Sequence, residues 1–263
     1  MTLFEIIILA LIQGITEFLP VSSSGHLVLG SQLFGWKDQG LAFDVAVHVG
    51  SLLAVLVYFR EEIIGMTRAW FQSTLQGKHS QEAKLAWYVI LGTIPVGLIG
   101  IIANDFIEEH LRSVTVVAIT MIVFAPFLWL ADRYGRRNKT VDSISLRDVM
   151  IIGFVQCTAL LPGVSRSGAT MLAGLGLGMT RQASARFSFL LSIPVILLAG
   201  GYRGYKLVAQ EAPVDWGAIF LGMGISAISA YICIHYFLKL LDNIGFTPFV
   251  YYLLGLGTIL LFI

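Results

Sequence analysis

The side chains fit for acid–base and anion chemistry gather in two short polar stretches of an otherwise apolar chain. The first runs Gln13-Gly14-Ile15-Thr16-Glu17-Phe18-Leu19-Pro20-Val21-Ser22-Ser23-Ser24-Gly25-His26. The second runs Gln156-Cys157-Thr158-Ala159-Leu160-Leu161-Pro162-Gly163-Val164-Ser165-Arg166-Ser167-Gly168-Ala169-Thr170. With a gap of one residue they are rough copies: a Gln, an apolar helical run, Leu-Pro, then a Ser-rich loop with Gly. The first brings a carboxylate, hydroxyls and an imidazole; the second brings a guanidinium. Brought together, they would supply a nucleophile, a base and an anion clamp inside a greasy protein. That combination suits chemistry on a phosphorylated lipid.

Each residue type has a reason to be there. Gln13 and Glu17 are four apart and share one helix face. A carboxylate at membrane depth costs about 2.5–3.5 kcal/mol on insertion scales, so Glu17 should face protein or water. Ser22, Ser23 and Ser24 precede a new helix, where free N–H groups favour an anion. N-capping explains any single serine there, but less well three in a row beside His26. His26 titrates near neutral pH and suits proton transfer. Arg166 offers a planar fork that matches phosphate, with Ser165, Ser167 and Thr170 as hydroxyl donors beside it. Ser23 is the first choice of nucleophile, with His26 or Glu17 taking its proton. Attack by His26 itself, or by a water activated by Glu17, stays open. Asp44 and His48, also four apart, either orient the site or hold two helices together.

The elements that must position these groups follow from composition. Of 263 residues, 57% are hydrophobic and 13% charged. Soluble domains carry about 25% charged residues, so this is an integral membrane protein. A net charge of +1 excludes a nucleic-acid role resting on bulk electrostatics. Cys157 and Cys233 lie in apolar runs and read as buried small hydrophobes, not a disulfide framework. Glu5 stands where a signal peptide needs a basic residue, so the N-terminus is not read as a cleavable signal.

A spanning helix needs about 20 mostly apolar residues. Stretches 41–59, 85–102, 114–131, 183–200, 216–238 and 246–263 qualify as six transmembrane helices. Stretches 3–34 and 148–178 are interrupted by Pro-Gly-Ser clusters, which survive at membrane depth only in protein or beside water. Both are expected to be re-entrant helix-loop-helix hairpins. The expected fold is therefore an all-α polytopic membrane protein, a single membrane domain over 1–263. Repeat one covers 1–131 and repeat two 148–263, joined by a cytoplasmic loop at 132–147. An odd number of crossings per repeat inverts the second, and such repeats place their site where the broken segments meet. Lys and Arg crowd the loops near 60–84 and 132–147, whereas Asp105, Glu108 and Glu109 outweigh Arg112 near 103–113. The loop near 201–215 holds only Arg203 and Lys206 as cations. The first two loops are thus cytoplasmic, and the first hairpin enters from the outer face.

The strings Glu17–His26 and Pro162–Thr170 resemble the undecaprenyl-diphosphate phosphatase family, the bacitracin-resistance membrane proteins of bacteria, and the likeness in hydropathy covers the whole chain. The resemblance implies hydrolysis of undecaprenyl diphosphate to undecaprenyl phosphate and inorganic phosphate, recycling the carrier for peptidoglycan. It also implies a multi-pass protein of the bacterial inner membrane whose site opens to the periplasm. Bacitracin would compete for the lipid substrate rather than bind the protein. A divalent cation, Mg²⁺ or Ca²⁺, is a family expectation, with Glu17 the residue to meet it. The family pattern has an acidic or amide residue ahead of this Glu, and here it is Gln13.

Two rival readings remain at this level. Inverted repeats with broken helices are also a transporter architecture, so a flippase of an anionic polyprenyl lipid would use the same pocket. A purely structural membrane protein would leave Glu17, His26 and Arg166 unexplained.

Overall fold

A computed structural model describes residues 1–27, 35–36, 39–111, 113–209 and 215–262, with side chains except at 104, 105, 108 and 206–209. The described residues fold into α1 (Leu3–Thr16), α2 (Gly40–Tyr58), α3 (Arg60–Gln76), α4 (Gln81–His110), α5 (Val114–Tyr134), α6 (Leu146–Gln156), α7 (Arg166–Gly176), α8 (Arg181–Ala209), α9 (Trp216–Ile244) and α10 (Thr247–Leu261). Short 3₁₀ turns occupy Val141–Ser143 and Cys157–Leu160. Hydroxyl and carboxylate caps start many of these helices. Thr2 with Glu5, and Ser145 with Asp148, form reciprocal capping boxes.

Among the described residues, five helical segments are long and apolar enough to cross a membrane: Gly40–Tyr58, Gln81–Ala103, Val114–Tyr134, Arg181–Tyr205 and Trp216–Ile244. They match five of the six expected spans. The sixth, 246–263, forms α10, which is apolar but only 15 residues long. At about 1.5 Å per residue it falls short of a core about 30 Å thick.

The stretch 60–84, expected as a loop, contains the helix α3. Ile63, Met66 and Trp70 fall on one helical stripe that packs against the core. Charged residues at its start and on its other face hide that stripe from a hydropathy average. Gly77, with φ +66°, ends the helix in the left-handed region.

The two broken segments differ in length but share a plan. Helix α1 stops at Thr16, the chain bends through Pro20, and a new helical turn covers 23–27. Residues 28–34 of the expected first hairpin, and Lys206 and much of the acidic 103–113 loop by their side chains, lie outside the description. Helix α6 runs into the 3₁₀ turn, bends at Pro162-Gly163 and restarts as α7.

Helix α1 lies on α9, and α6 lies on α4. Small residues permit both close crossings. A methyl added at Gly14 would sit 2.0 Å from Ser229 Oγ, and one at Gly153 would sit 2.6 Å from the Gly92 carbonyl oxygen. Ser51 and Ser226 exchange a 3.0 Å hydrogen bond between α2 and α9, the kind of polar contact that joins helices where burial in lipid gives little drive.

At the end of the molecule that carries the 132–147 connection, ion pairs tie the helices. Arg181 Nε and Nη2 donate to the two oxygens of Asp132 at 2.7 and 2.9 Å. Arg137 adds a third donor at 3.1 Å, and the Phe246 N–H a fourth at 3.1 Å. Lys139 grips both oxygens of Asp148 at 3.0 Å. Burial pushes the Asp148 carboxyl up, but the Ser145 N–H, Lys139 and the Ser145 hydroxyl outweigh it and hold the group below the usual carboxylate range.

Candidate active site

The two bends meet. Glu17 stands just past the last turn of α1, and its carboxylate is 8% exposed at the residue level. Arg166 is the first residue of α7, behind the cap Ser165, whose Oγ accepts from the Gly168 N–H at 3.1 Å. Arg166 Nη2 donates to Glu17 Oε1 at 2.7 Å across a sequence separation of 149 residues. The other carboxylate oxygen, Oε2, accepts from Ser23 Oγ at 2.7 Å and from Gln13 Nε2 at 2.8 Å. His48 Nε2 lies 3.8 Å from the same oxygen.

Backbone geometry at both bends makes this possible. Ser22 sits at φ +68°, a left-handed conformation that costs a non-glycine residue about 1–3 kcal/mol. It persists because the turn is clasped: Ser22 Oγ accepts from the Gly25 N–H and its carbonyl accepts from His26. Gly163, at φ +94°, presses the second bend onto α5, where a methyl would come 2.5 Å from the Val117 carbonyl oxygen. The Leu19 carbonyl accepts hydroxyls from Ser165 at 3.3 Å and Ser167 at 2.8 Å, joining one bend to the other.

A cavity of about 200 Å³ opens beside these groups. Its polar wall includes Glu17, Ser22, Ser23, Ser24 and His48 from the first part of the chain, and Ser165, Arg166 and Arg203 from the second. Val45, Val96, Leu160, Val195 and Ile196 add apolar lining. The Arg166–Glu17 contact uses one guanidinium nitrogen. Arg166 Nη1 reaches only the Ser188 carbonyl, at 3.4 Å, so much of the fork is left for an anion. The guanidinium also lies over the Phe18 ring at 5.9 Å, which fixes its plane.

Several expected site residues stand elsewhere. His26 is buried, but it does not line the cavity. Its Nδ1–H donates to the Ser22 carbonyl at 2.7 Å, which leaves Nε2 to accept the Tyr252 hydroxyl at 2.5 Å. The rings stack at 5.6 Å. A neutral imidazole thus has both nitrogens satisfied by fixed partners. Ser167 and Thr170 are buried behind the cavity. Ser167 holds Leu19, and Thr170 Oγ1 bonds the Ser188 hydroxyl at 2.7 Å, so neither presents a donor to a ligand. Asp44 accepts from Gln39 Nε2 at 2.9 Å, and only its backbone carbonyl meets His48 Nδ1, at 2.7 Å. That carbonyl fixes the ring so that Nε2 faces Glu17. Gln13 supports Glu17 directly. Of the expected phosphate-binding hydroxyls, Ser22, Ser24 and Ser165 do reach the cavity.

Among the described residues no three His, Cys, Asp or Glu side chains gather to hold a metal. Mg²⁺ typically uses one or two carboxylates plus substrate phosphate. The donor set fits an ion carried on a phosphorylated ligand: the Glu17 carboxylate faces the cavity, and behind it Gln13 Oε1 is buried with no partner.

The family described as bacitracin resistance protein BacA matches residues 6–259. The chain is 56% identical over 260 residues to a protein of Teredinibacter turnerae named undecaprenyl-diphosphatase, covering 99% of this chain and 98% of that one. It is 55% identical over 264 residues to undecaprenyl-diphosphatase 2 of Stutzerimonas stutzeri, with the same coverage, 99% and 98%. This chain belongs to the BacA family.

Proposed function

We propose that this chain hydrolyses undecaprenyl diphosphate to undecaprenyl phosphate and inorganic phosphate in the bacterial inner membrane, recycling the lipid carrier of peptidoglycan synthesis. The observation that carries the reading is the Ser23–Glu17–Arg166 cluster lining a cavity that also has apolar lining. Relatives more than half identical over nearly the whole chain bear the name of that activity. A carrier needs an anion clamp, but it has no use for a hydroxyl held 2.7 Å from a carboxylate. That separates the hydrolase from a flippase.

The terminal phosphate enters beside Arg166, and the start of the polyprenyl tail lies along the apolar lining. Arg166 turns donors from Glu17 to the phosphate oxygens, where fixed charge stabilisation matters most in phosphoryl transfer. Releasing Glu17 from Arg166 makes it a better base. Ser23 Oγ attacks the terminal phosphorus and gives its proton to Glu17. The bridging P–O bond breaks, and its electron pair leaves with the lipid phosphate. Water then releases inorganic phosphate from Ser23. His48 holds the carboxylate in line. Mg²⁺ or Ca²⁺, where bound with the substrate by Glu17, would neutralise phosphate charge. Bacitracin would act by sequestering the substrate.

The topology that goes with this reading is six crossings and two re-entrant hairpins, the short α10 making the sixth where the bilayer thins around it. The reciprocal packing of α1 on α9 and of α6 on α4 favours two inverted repeats, 1–131 and 148–263. The Lys and Arg distribution turns the 132–147 connection to the cytoplasm and the cavity mouth, by Arg203, to the periplasm.

The test is phosphate release from C55 and shorter diphosphates by purified protein in detergent, with and without Mg²⁺ or Ca²⁺. Rapid acid quench with labelled substrate should trap phosphate on Ser23. Absence of any covalent species would favour direct attack by water, and label on an imidazole would replace Ser23 as nucleophile.

A further inference from the structure

His48 lines the cavity from α2, one turn after Asp44. Its Nδ1–H donates to the Asp44 carbonyl at 2.7 Å. That bond fixes the tautomer and leaves the lone pair of the ring on Nε2. Nε2 lies 3.8 Å from Glu17 Oε2. The separation is too long for an N–H···O hydrogen bond, which needs about 2.7–3.2 Å. Two ligands each about 2.1 Å from one metal ion stand about 3.0–3.4 Å apart at right or tetrahedral angles. A small closure would therefore seat an ion between them. A histidine that gives one ring N–H to a backbone carbonyl and aims the other nitrogen at a carboxylate has the arrangement of a metal ligand.

The Glu17 carboxylate has room for such an ion. An ionised carboxylate offers about four acceptor positions. Gln13 Nε2 and Ser23 Oγ take two on Oε2, and Arg166 Nη2 takes one on Oε1. One stays open, and a second opens when Arg166 turns to the phosphate. Glu17 and His48 are thus two protein ligands, and among the described residues no third His, Cys, Asp or Glu joins them. The cavity also carries Arg166 and Arg203 against the Glu17 carboxylate. That surplus of positive charge admits a divalent cation only together with an anion, and phosphate oxygens then complete the ligand set.

We infer that His48 Nε2 and the Glu17 carboxylate together hold the divalent cation, and that His48 turns the site toward a transition-metal ion and away from Ca²⁺. The inference rests on the phosphatase reading for the anion that completes the site, a diphosphate ester. Carboxylate and water oxygens suit Mg²⁺ and Ca²⁺, whereas imidazole suits zinc and its neighbours. Glu17 by itself would favour the hard ions. His48 is therefore the residue that sets cation specificity.

The experiment uses the untagged full chain in detergent, with Mn²⁺ as the probe cation. Farnesyl methylenediphosphonate, whose P–C–P bridge is not cleaved, serves as the anion. Electron paramagnetic resonance counts bound Mn²⁺, and electron spin-echo modulation detects a coordinated nitrogen. Mn²⁺ should bind only with the diphosphonate present, and it should show nitrogen modulation. His48→Gln should abolish the modulation and weaken Mn²⁺ binding by about tenfold or more, since loss of even an outer partner of a ligand costs that much. His26→Asn, which removes an imidazole outside the cavity, should leave the modulation intact. Zn²⁺ should displace Mn²⁺ at lower concentration than Ca²⁺ does, and the gap should narrow in His48→Gln. Bound Mn²⁺ without nitrogen modulation, or modulation that survives in His48→Gln, overturns the inference and leaves His48 as a direct ion-pair partner of Glu17. Failure to bind Mn²⁺ overturns it as well. Phosphate release from farnesyl diphosphate tests the phosphatase reading separately. Turnover without modulation overturns this inference alone, whereas modulation without turnover overturns the phosphatase reading and leaves a cation site for a diphosphate ligand.

Discussion

Asp132 and Glu17 are both buried carboxylates held by arginine, yet one forms a staple and the other a site. Asp132 receives a bidentate fork from Arg181, a further donor from Arg137 and a backbone N–H from Phe246. Its oxygens are fully engaged, and Arg181 is further tied to the Asp242 carbonyl at 3.0 Å. Glu17 receives Arg166 through a single nitrogen, and its other oxygen is shared by a serine and an amide. A cavity adjoins it. The lesson is that residue types and burial do not separate structural from chemical ion pairs. What separates them is donor capacity left uncommitted beside a space a ligand can fill.

Arg166→Ala should cut turnover by about 10³-fold, the upper range for removing one charge-stabilising donor, and should lower stability less than loss of Asp132 does, because Glu17 keeps Ser23 and Gln13 as donors. Arg166→Lys should also lose turnover, since an ammonium cannot reproduce the fork. Full activity in the lysine variant would show that the contact is a simple charge. Asp132→Ala should do the reverse. It strands Arg181 and should destabilise the protein by about 3–5 kcal/mol, while turnover per folded molecule persists. A thermal melt paired with a burst-calibrated assay reads both quantities, and loss of turnover without loss of stability would erase the distinction.

A smaller effect is expected at the His26–Tyr252 pair. Tyr252→Phe and His26→Asn should each lower stability by about 1–3 kcal/mol, the cost of an unmet buried group, and keep most of the turnover. His48→Ala should cost more turnover and less stability. If His26→Asn abolished phosphate release in a protein that still melts cooperatively, the imidazole would have to reach the reaction after all.

The smallest effect belongs to Asp148. Its folded carboxyl lies below the usual range, so its contribution to stability is present above about pH 4 and fades as pH falls through the lowered value. Asp148→Asn should therefore melt below the parent at neutral pH and converge with it in acid. A constant gap at all pH values would mean that packing, not charge, is what Asp148 supplies.

Much of this arrangement was legible from residue types alone. Pro and Gly inside apolar runs announce broken helices, and the pairing of Glu17 with Arg166 follows from two matching bends. The chemistry behind the bends was harder to read. Ser167 and Thr170 look like ligand donors in sequence, but the start of α7 turns them inward, toward Leu19 and Ser188. Which histidine faces the cavity depends on the helix phase after Ser22 and on Tyr252, which stands 226 residues away. The spacing of Asp44 and His48 suggests a pair, but not that its link is the Asp44 carbonyl, which leaves His48 Nε2 to face Glu17. Arg203 served only as a loop charge for orientation, because nothing local shows that α8 continues past it. Helix α3 does not show in a hydropathy average because charges dilute its narrow apolar stripe.

The Leu19 carbonyl, stitched to Ser165 and Ser167, has a mechanical consequence. A protein that works by rocking must let its central segments slide past one another. Here such sliding would have to break two hydroxyl hydrogen bonds to a single peptide oxygen. The stitch couples the two bends, so a displacement of one carries the other with it.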